Sequence, residues 1–586
     1  MLRTTHGGNP AIPQSGRPGT DRRIQRRRAE TMEPETTQPA VARPAAARHF
    51  NLADLYELVA DTVPDRLALV AGDVRLTYAE LDARANRFAA HLVATGTAPG
   101  AHVGILSRNR AEWVEAMIGS YKARTVPINL NYRYVAPELR YVVDNADLEV
   151  LVYERDLAAL VATSLEPTAE RDLQLVVVED GTSVGGDPVA EAGATAVNYE
   201  DALAAASDAR SGAPRSPDDL YVLYTGGTTG MPKGVMWRQE DIFFAAMGGG
   251  GWGAEPITYP DELADRLDTD PTGRIPMLVV GPLMHGNAQW AMWNAFMMAG
   301  TAVLYTGHRF DPDQLLRIIG DEGVVSTALV GDAMARPLIE ALAGAGPGTY
   351  DVSSLMVIGS GGAMLSAAVK ADLAAHLPGA MIMDRFGSSE SGAQGAVEVG
   401  ASGPRFVMSD DTAVLDDDLL PLVPGDGRIG RLARTGRIPL GYHKDEAKTA
   451  ATFPTDAHGT RWSVPGDLAS VGADGVITVH GRGSASINSG GEKIFPEEVE
   501  AAVKSHPRVY DAIVVGLPDE RFGERVAALV RLRDQSPDLT LDGLIEHCRA
   551  HVAGYKVPRQ LLLVDEIPLT AAGKPDTKAA KALFAG

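Results

Sequence analysis

The sequence predicts an α/β protein, with a large N-terminal domain of layered α/β subdomains followed by a small, mobile α+β domain. Short apolar segments alternate with amphipathic helical stretches, which is the pattern of sheets covered by helices. The chain has 586 residues, of which 45% are hydrophobic and 22% charged, and this length exceeds what one core holds. Small residues around Gly481 mark a change of composition. We therefore expect the two domains to comprise residues 47–481 and 482–586.

The first 46 residues are expected to be disordered, because they are rich in Pro, Gly, Thr and Arg and lack apolar periodicity. Residues 1–31 carry seven arginines against two acidic residues. Two interpretations stay open: an interaction or targeting arm, or a start codon assigned too early, with Met32 as the true first residue. Nothing in this segment resembles the apolar core of a signal peptide.

Order is expected from Phe50 onward. Thr77 and Glu80 form a capping box in front of a helix with apolar residues at helical spacing. The nearly uncharged segment 288–305 is interrupted by polar residues, so it predicts a buried helix followed by a strand instead of a membrane span. Further strands are expected at 102–106, 126–129, 149–153, 174–178, 220–224, 277–280, 510–516 and 525–532. A further helix is expected at 541–552.

A glycine-rich run at 248–253 has two interpretations that the sequence does not separate. The glycines either form a turn or mobile loop, or leave volume for a ligand where side chains are missing. Residues 254–275 are polar and rich in Asp, and are expected to form an exposed insertion.

Charge and cysteine content limit the classes of partner. The net charge of −22 argues against nucleic-acid binding, which needs clustered Lys and Arg. The single cysteine, Cys548, excludes an intramolecular disulfide and a cysteine-based zinc cluster, and fits a reducing cytoplasm. Contact with a membrane surface at its periphery and assembly as a homodimer stay open.

The most informative stretch is 224–234, YTGGTTGMPKG, directly after a short apolar strand. Its glycines let the backbone approach a ligand, its threonines supply hydroxyls and its lysine a positive charge, which together suit a polyphosphate. It differs from the common nucleotide loop, because Pro232 blocks a helix through the lysine. A flexible surface loop between two strands is the alternative. The candidate phosphate-binding residues are Thr225, Gly226, Gly227, Thr228, Thr229, Gly230 and Lys233.

In its order this stretch resembles the phosphate loop of the adenylate-forming enzymes, which include acyl-CoA synthetases, luciferases and adenylation domains of peptide synthetases. Three later segments are similar to motifs of the same family: 384–392 (DRFGSSESG), 462–468 (WSVPGDL) and 568–575 (PLTAAGKP). The four motifs span residues 224–574, nearly the whole folded chain. Departures are Gly226 for Ser, Phe386 for Tyr, Ser389 for Thr and Pro465 for Thr.

The resemblance implies ATP, Mg²⁺ and coenzyme A as cofactors. Glu390 is the expected magnesium ligand, with Thr225 beside it, because Mg²⁺ is held by one or two carboxylates together with phosphate oxygens. Phe386 offers an aromatic plane to the purine, and Asp467 is expected to accept the ribose hydroxyls, with Arg482 nearby. The full set of nucleotide-binding candidates outside the phosphate loop is Gly361, Gly362, Ala363, Asp384, Phe386, Gly387, Ser388, Ser389, Asp467 and Arg482.

Catalytic candidates also follow from the resemblance. Lys574 stands where the family carries the lysine that enters the active site for adenylation, and His285 where a histidine or aromatic residue lies between the acyl pocket and the thiol channel. A hinged small domain is expected to bring Gly490 and Gly491 toward the CoA channel for the second step. Ser484-Ala485 replaces the family's usual hinge residues.

The implied activity is ATP-dependent, AMP-forming acyl-CoA synthesis from a small-molecule carboxylic acid. Segments 330–337, 387–390 and 481–484 look like an actinobacterial subfamily that activates steroid side-chain or fatty acids. The sequence leaves steroid, medium-chain and long-chain acids open. Alternatives are an enzyme that loads a separate phosphopantetheine carrier protein, a luciferase-like oxygenase and a non-catalytic acyl-binding protein. Thioester formation with free CoA separates the first of these from the main interpretation.

Overall fold

The protein is represented by a computed structural model that divides into two units, residues 1–47 and 48–586. The described residues all belong to the second unit, so the prediction for the N-terminal tail lies outside them. They are 49–165, 173–182, 188–191, 193–225, 231–250, 255–268, 275–346, 348–363, 365–400, 403–482, 486–489, 492–519, 523–533, 539–552, 554–570 and 574–585.

The helices and strands are labelled in chain order. The α-helices are α1 Leu52–Thr62, α2 Tyr78–Ala94, α3 Ala111–Lys122, α4 Ala136–Asn145, α5 Ala158–Leu165, α6 Pro188–Glu191, α7 Tyr199–Ala204, α8 Gln239–Ala246, α9 Asp261–Asp268, α10 Gly286–Met297, α11 Pro312–Glu322, α12 Gly331–Gly344, α13 Ala367–His376, α14 Glu446–Thr452, α15 Pro496–Lys504, α16 Leu541–Arg549 and α17 Thr577–Leu583. The strands are β1 Leu67–Ala71, β2 Val74–Thr77, β3 His102–Leu106, β4 Val126–Asn129, β5 Leu148–Glu154, β6 Gln174–Val178, β7 Ala196–Asn198, β8 Leu220–Thr225, β9 Lys233–Arg238, β10 Pro276–Val279, β11 Thr301–Leu304, β12 Ser326–Leu329, β13 Val357–Ser360, β14 Met381–Ser388, β15 Gly392–Gly400, β16 Gly403–Val407, β17 Thr412–Leu415, β18 Gly430–Arg434, β19 Gly441–Tyr442, β20 Asp467–Val471, β21 Val476–Arg482, β22 Ile487–Ser489, β23 Glu492–Ile494, β24 Val509–Asp519, β25 Gly523–Leu532 and β26 Gln560–Leu563.

Two large sheets form the N-terminal part. The first has the order β17-β18-β20-β21-β16-β15-β14-β13-β12-β10-β11-β1-β2, and the second β19-β9-β8-β4-β3-β5-β6-β7. Within the first, the consecutive strands β11, β10, β12, β13 and β14 run parallel to one another, so their carboxyl ends meet at one edge. Within the second, β4 and β8 are also parallel, and β8 turns back into β9 as an antiparallel pair.

The C-terminal part has its own sheet, β23-β22-β25-β24, with β26 paired to β25. A separate apolar core of buried residues, including Ile494, Val499 and Leu544, fills the space between this sheet and helices α15 and α16. The observed architecture is therefore α/β with a smaller α+β part at the C-terminus, and the predicted fold class is confirmed.

Local predictions hold where the apolar pattern is regular. Thr77 caps α2 and exchanges hydrogen bonds with Glu80, and the apolar segment 288–305 is α10 followed by β11. In the described part of the chain, no helix combines the length and apolar character needed to cross a bilayer. The exposed insertion predicted for 254–275 holds for most of its described residues, which are exposed or half-buried, but one face of α9 buries Leu263 and Leu267 in the core that holds α1.

Candidate active site

A cavity of about 270 Å³ lies where the carboxyl ends of the parallel strands of both large sheets approach each other. The C-terminal part contributes Lys574 to its wall. It brings together these predicted site residues: Thr225, His285, Gly361, Gly362, Ala363, Phe386, Gly387, Ser388, Ser389 and Lys574. A cleft at this edge of parallel sheets is a common place for a ligand.

Two buried asparagines hold the loop that carries His285. Asn129 donates hydrogen bonds to the carbonyls of Tyr224 at 2.9 Å and Met284 at 2.6 Å, and accepts one from the Tyr224 amide at 2.8 Å. Asn109 accepts from the Leu283 amide at 2.7 Å and donates to the Gly281 carbonyl at 3.0 Å. The end of β8 and the histidine loop are therefore joined through one side chain. Sequence analysis missed both asparagines, because Asn129 is the last residue of an ordinary strand, Asn109 follows one, and neither belongs to a motif.

His285 is neutral at physiological pH. His285 is the N-cap residue of α10 and its ring is partly buried. Burial lowers the pKa of the imidazole to about 4, with further lowering by the positive charges of Lys574 and Arg133. A neutral imidazole can accept or donate a hydrogen bond toward a substrate without adding charge to the cavity. His285 and Lys574 both line the cavity, so the positive charge of the lysine disfavours protonation of the ring.

The predicted phosphate-binding lysine and the predicted magnesium ligand are held by one short segment. Lys233 begins β9 and pairs with Asp445 at 2.6 Å, while the Tyr442 hydroxyl donates to Glu390 at 2.9 Å. The strand β19, which contains Tyr442, pairs with β9. Sequence analysis missed Tyr442 and Asp445. Their only signal was an aromatic residue and a carboxylate between the second and third motifs.

The backbone around Glu390 is fixed by three further side chains. Ser463 donates from its hydroxyl to the Glu390 carbonyl at 2.6 Å, and the Trp237 indole donates to the Ser389 carbonyl at 2.9 Å. Arg434, which is paired with Asp411, donates to the Ser391 carbonyl at 2.6 Å. These bonds come from separate segments of the chain, so the position of the carboxylate depends on tertiary structure.

The remaining nucleotide-binding candidates occupy neighbouring strands. Phe386 lies on the cavity wall and stacks on Phe406 with ring centroids 5.7 Å apart. Asp467 pairs through its backbone with Arg482 in adjacent strands, and Asp467 does not line the cavity. Asp384 is placed by its backbone in β14, opposite Ser360.

Residues 226–230 of the phosphate loop, and Gly490 and Gly491, lie outside the described residues. The two ends of the phosphate loop are described: Thr225 and Lys233 are paired across the β8–β9 hairpin.

With this geometry in view, the comparison with protein families is decisive. Residues 56–438 match the model described as AMP-binding enzyme, and residues 498–574 match the AMP-binding enzyme C-terminal domain. The chain belongs to the AMP-binding enzyme family. The predicted family is therefore confirmed.

Relatives of this AMP-binding enzyme are similar over nearly their full length. A 3-oxocholest-4-en-26-oate–CoA ligase of Rhodococcus rhodochrous is 48% identical over 547 residues, which cover 91% of this chain and 95% of that protein. A medium/long-chain-fatty-acid–CoA/3-oxocholest-4-en-26-oate–CoA ligase of Mycolicibacterium smegmatis is 47% identical over 541 residues, covering 91% and 96%. These names agree with the predicted class of enzyme, an AMP-forming acyl-CoA ligase.

Solved structures share the fold. An anthranilate CoA ligase in complex with anthranoyl-AMP superimposes with a TM-score of 0.76 at 23% identity, covering 92% of this chain and 99% of that one. ATP-bound MatB from Rhodopseudomonas palustris superimposes with a TM-score of 0.72 at 23% identity, covering 91% and 99%.

Proposed function

We propose that this enzyme is an ATP-dependent acyl-CoA synthetase that converts an apolar carboxylic acid, a fatty acid or a steroid side-chain acid, to its CoA thioester through an acyl-adenylate. The observation that carries the proposal is the meeting of Lys574, from the C-terminal part, with His285 at one cavity. The relatives' activities support the same reaction, and they support free CoA over a carrier protein as the acyl acceptor.

In the first step, a carboxylate oxygen of the acid attacks the α-phosphorus of ATP, and pyrophosphate leaves. Both reactants are anionic, so bringing them together needs positive charge and fixed hydrogen-bond donors. Lys574 supplies a charge at the cavity, and Lys233 supplies one at the end of the phosphate loop. Asp445 orients Lys233 through their ion pair.

The residues present fit a magnesium ion. Glu390 is partly exposed beside the cavity wall, and one of its oxygens is already oriented by Tyr442. A single carboxylate suits Mg²⁺, which completes its shell with phosphate oxygens and water. Glu390, with Thr225, would hold the ion, which when bound neutralises charge on the polyphosphate.

In the second step, the thiolate of CoA attacks the acyl carbonyl of the adenylate and AMP leaves. His285 lies at the base of α10 on the cavity wall, and its neutral ring is suited to contact the acyl carbonyl or the incoming thiol. We infer that Lys574 must move out for this step, with 482–586 as a mobile domain that carries Gly490 and Gly491 inward. Limited proteolysis tests the boundary, since a fragment ending near residue 481 is expected.

The proposal is tested with the full chain, ATP, Mg²⁺ and a panel of medium-chain, long-chain and steroid side-chain acids. Pyrophosphate release and CoA-thioester formation are measured in parallel. We expect at least one apolar acid to give both products in equal amounts. Release of pyrophosphate with a thioester only on a phosphopantetheine carrier protein, or release with none of the acids, would contradict the proposal.

Three statements about setting are also proposals. We place the enzyme in the cytoplasm, since its one cysteine, Cys548, is a buried thiol. Peripheral contact with a membrane is tested by sedimentation with lipid vesicles, and a homodimer by light scattering of the purified chain.

A further inference from the structure

Deep in the cavity, two polar side chains have no hydrogen-bond partner among the described residues. Asn294 is 8% exposed and Ser326 is 4% exposed, and both line the cavity. Neither side chain is among the described ones whose polar atoms are sealed from solvent without a partner, so their polar atoms open into the cavity, where a bound ligand that excludes water has to pair them. A pair of such side chains in a ligand cavity points to a partner supplied by the ligand.

The depth of Asn294 follows from α10. The residues of this helix that line the cavity recur on one stripe of its surface: Gly286, Asn287, Trp290, Ala291 and Asn294. Asn294 is eight residues beyond Gly286, which is about 12 Å along a helix axis. Because His285 immediately precedes α10, Asn294 lies at the end of the cavity that is remote from the reacting carboxylate.

The depth of Ser326 follows independently from β12. This strand begins at Ser326 and ends at Leu329, next to Val330. The Gly361 amide donates to the Leu329 carbonyl, which places Gly361 at the same edge. Four residues of strand place Ser326 about 13 Å from that edge. Both side chains therefore lie at similar depth.

The two groups also face the same space. Ser326 pairs with Met277 and Ala328 with Val279 in neighbouring parallel strands, so these four side chains point to one face of the sheet. Met277 and Val279 pack in the core that contains α10. Ser326 consequently faces the helix that carries Asn294.

The neighbouring residues leave room and carry no formal charge. An added Cβ on Gly248 would lie 3.4 Å from Oδ1 of Asn294, so the glycine keeps the amide accessible. The other residues around the deep end include Met277, Ala291 and Val357, and the cationic cavity residues belong to the opposite end. A neutral oxygen function suits this environment better than a second carboxylate.

We propose that Asn294 and Ser326 form a subsite for a neutral oxygen, a hydroxyl or carbonyl, on the remote part of the acyl chain, so that oxygenated apolar acids are preferred over their unsubstituted counterparts. The amide and the hydroxyl both donate and accept, so either oxygen function can be paired. The inference rests on the proposed function and specifies the substrate class of the same site.

The test measures kcat/KM for pyrophosphate release with matched pairs of acids. One arm compares straight-chain acids of increasing length with their ω-hydroxy counterparts, and the other compares a steroid side-chain acid bearing a ring ketone with the acid lacking it. We expect the oxygenated acid of a pair to be preferred by about tenfold or more in one of the two arms. If the straight-chain arm responds, the preference should appear at one chain length. The arm that responds identifies the source of the oxygen.

The substitutions Asn294→Leu and Ser326→Ala should each lower the ratio of kcat/KM for the oxygenated acid to that for the unsubstituted acid toward one. Thr327→Val is the matched control, because the Thr327 hydroxyl already donates to the Leu278 carbonyl at 3.1 Å, and it should leave the ratio unchanged. The melting temperature of Asn294→Leu without ligand should not fall, since the amide has no partner to lose. Turnover of unsubstituted acids with no preference in either arm, or a preference that survives both substitutions, would overturn the subsite and leave the ligase intact.

Discussion

The Tyr442 hydroxyl donates a 2.9 Å hydrogen bond to Oε1 of Glu390. Tyr442 is paired through β19 with the strand that begins at Lys233, and Asp445, three residues later, holds the lysine ammonium. One short segment thus sets the distance between the carboxylate proposed for Mg²⁺ and the lysine proposed for phosphate.

Glu390→Gln keeps the side-chain volume and removes the charge. We expect pyrophosphate release to fall at least about tenfold, which corresponds to roughly 1.4 kcal/mol of transition-state stabilisation, because the amide is a poor magnesium ligand. Initial rates are measured over a range of Mg²⁺ concentrations. Tyr442→Phe is the comparison variant, since it leaves the carboxylate charged but less well oriented and should cost less. Wild-type kinetics for Glu390→Gln at limiting Mg²⁺ would show that the metal binds elsewhere.

The lowered pKa of His285 predicts a specific dependence of stability on pH. The folded chain leaves the ring unprotonated down to about pH 4, whereas an unfolded histidine binds a proton below about pH 6.5. As pH falls from 7 toward 4, the unfolded state takes up the extra proton, so this group lowers the free energy of unfolding by up to about 3 kcal/mol. His285→Gln removes that effect. The melting temperature of the wild type should therefore fall further than that of the variant between pH 7 and pH 5.

Replacement of the exposed His458 controls for the loss of a histidine. If the difference in melting temperature between the wild type and His285→Gln stayed constant with pH, the ring would be as easily protonated in the folded chain as in the unfolded one.

The sequence predicted elements whose information is local. The capping box at Thr77 and the buried helix and strand of segment 288–305 both follow from side chains within a few residues of each other. The prediction for segment 254–275 missed the buried face of α9 for the converse reason. Its many charges suggested exposure, but the spacing of Leu263 and Leu267 allows one helical face to pack against the core beside α1.

The motif residues of the proposed site could be identified from the sequence, but the side chains that hold them in position could not. Lys574 and His285 were both identified from the sequence, yet nothing local indicates that Asn129 joins β8 to the histidine loop or that Arg434 holds the Ser391 carbonyl. Such bonds join residues far apart in the chain. Tertiary packing alone decides them, so single-sequence reasoning has no access to them.

The segment 330–337 forms a contact between the N-terminal part and the C-terminal sheet. Arg336, which is 3% exposed, pairs with Asp332 at 3.2 Å and places its guanidinium 5.8 Å from the centre of the Tyr510 ring. Tyr510→Leu keeps the ion pair and removes the ring. We expect acyl-adenylate formation to slow by about 2- to 30-fold, the range for losing a cation–π contact, since this orientation of the C-terminal part is the one that brings Lys574 to the cavity.

Thioester formation from preformed acyl-adenylate should be unaffected in Tyr510→Leu. Tyr555→Leu is the matched control, because the cation over that ring is Lys556 of the same C-terminal part. Equal slowing of both half-reactions by Tyr510→Leu would mean that the ring supports the fold of the C-terminal part and not its orientation.

Lys574 tests whether the two half-reactions use different positions of the C-terminal part. The residue lies in a turn closed by the Thr570 amide, which donates to the Lys574 carbonyl at 2.7 Å, and it lines the cavity with His285. We propose that its charge is needed while pyrophosphate leaves and not while the thiol attacks, so Lys574→Ala should slow acyl-adenylate formation by about 100-fold or more. Supplied with preformed acyl-adenylate and CoA, the same variant should form thioester at close to the wild-type rate. Lys578→Ala, an exposed lysine in the adjacent helix, controls for the loss of surface charge and should retain both rates. Equal damage to both half-reactions in Lys574→Ala would exclude the two-position mechanism and assign the lysine to a site shared by both steps.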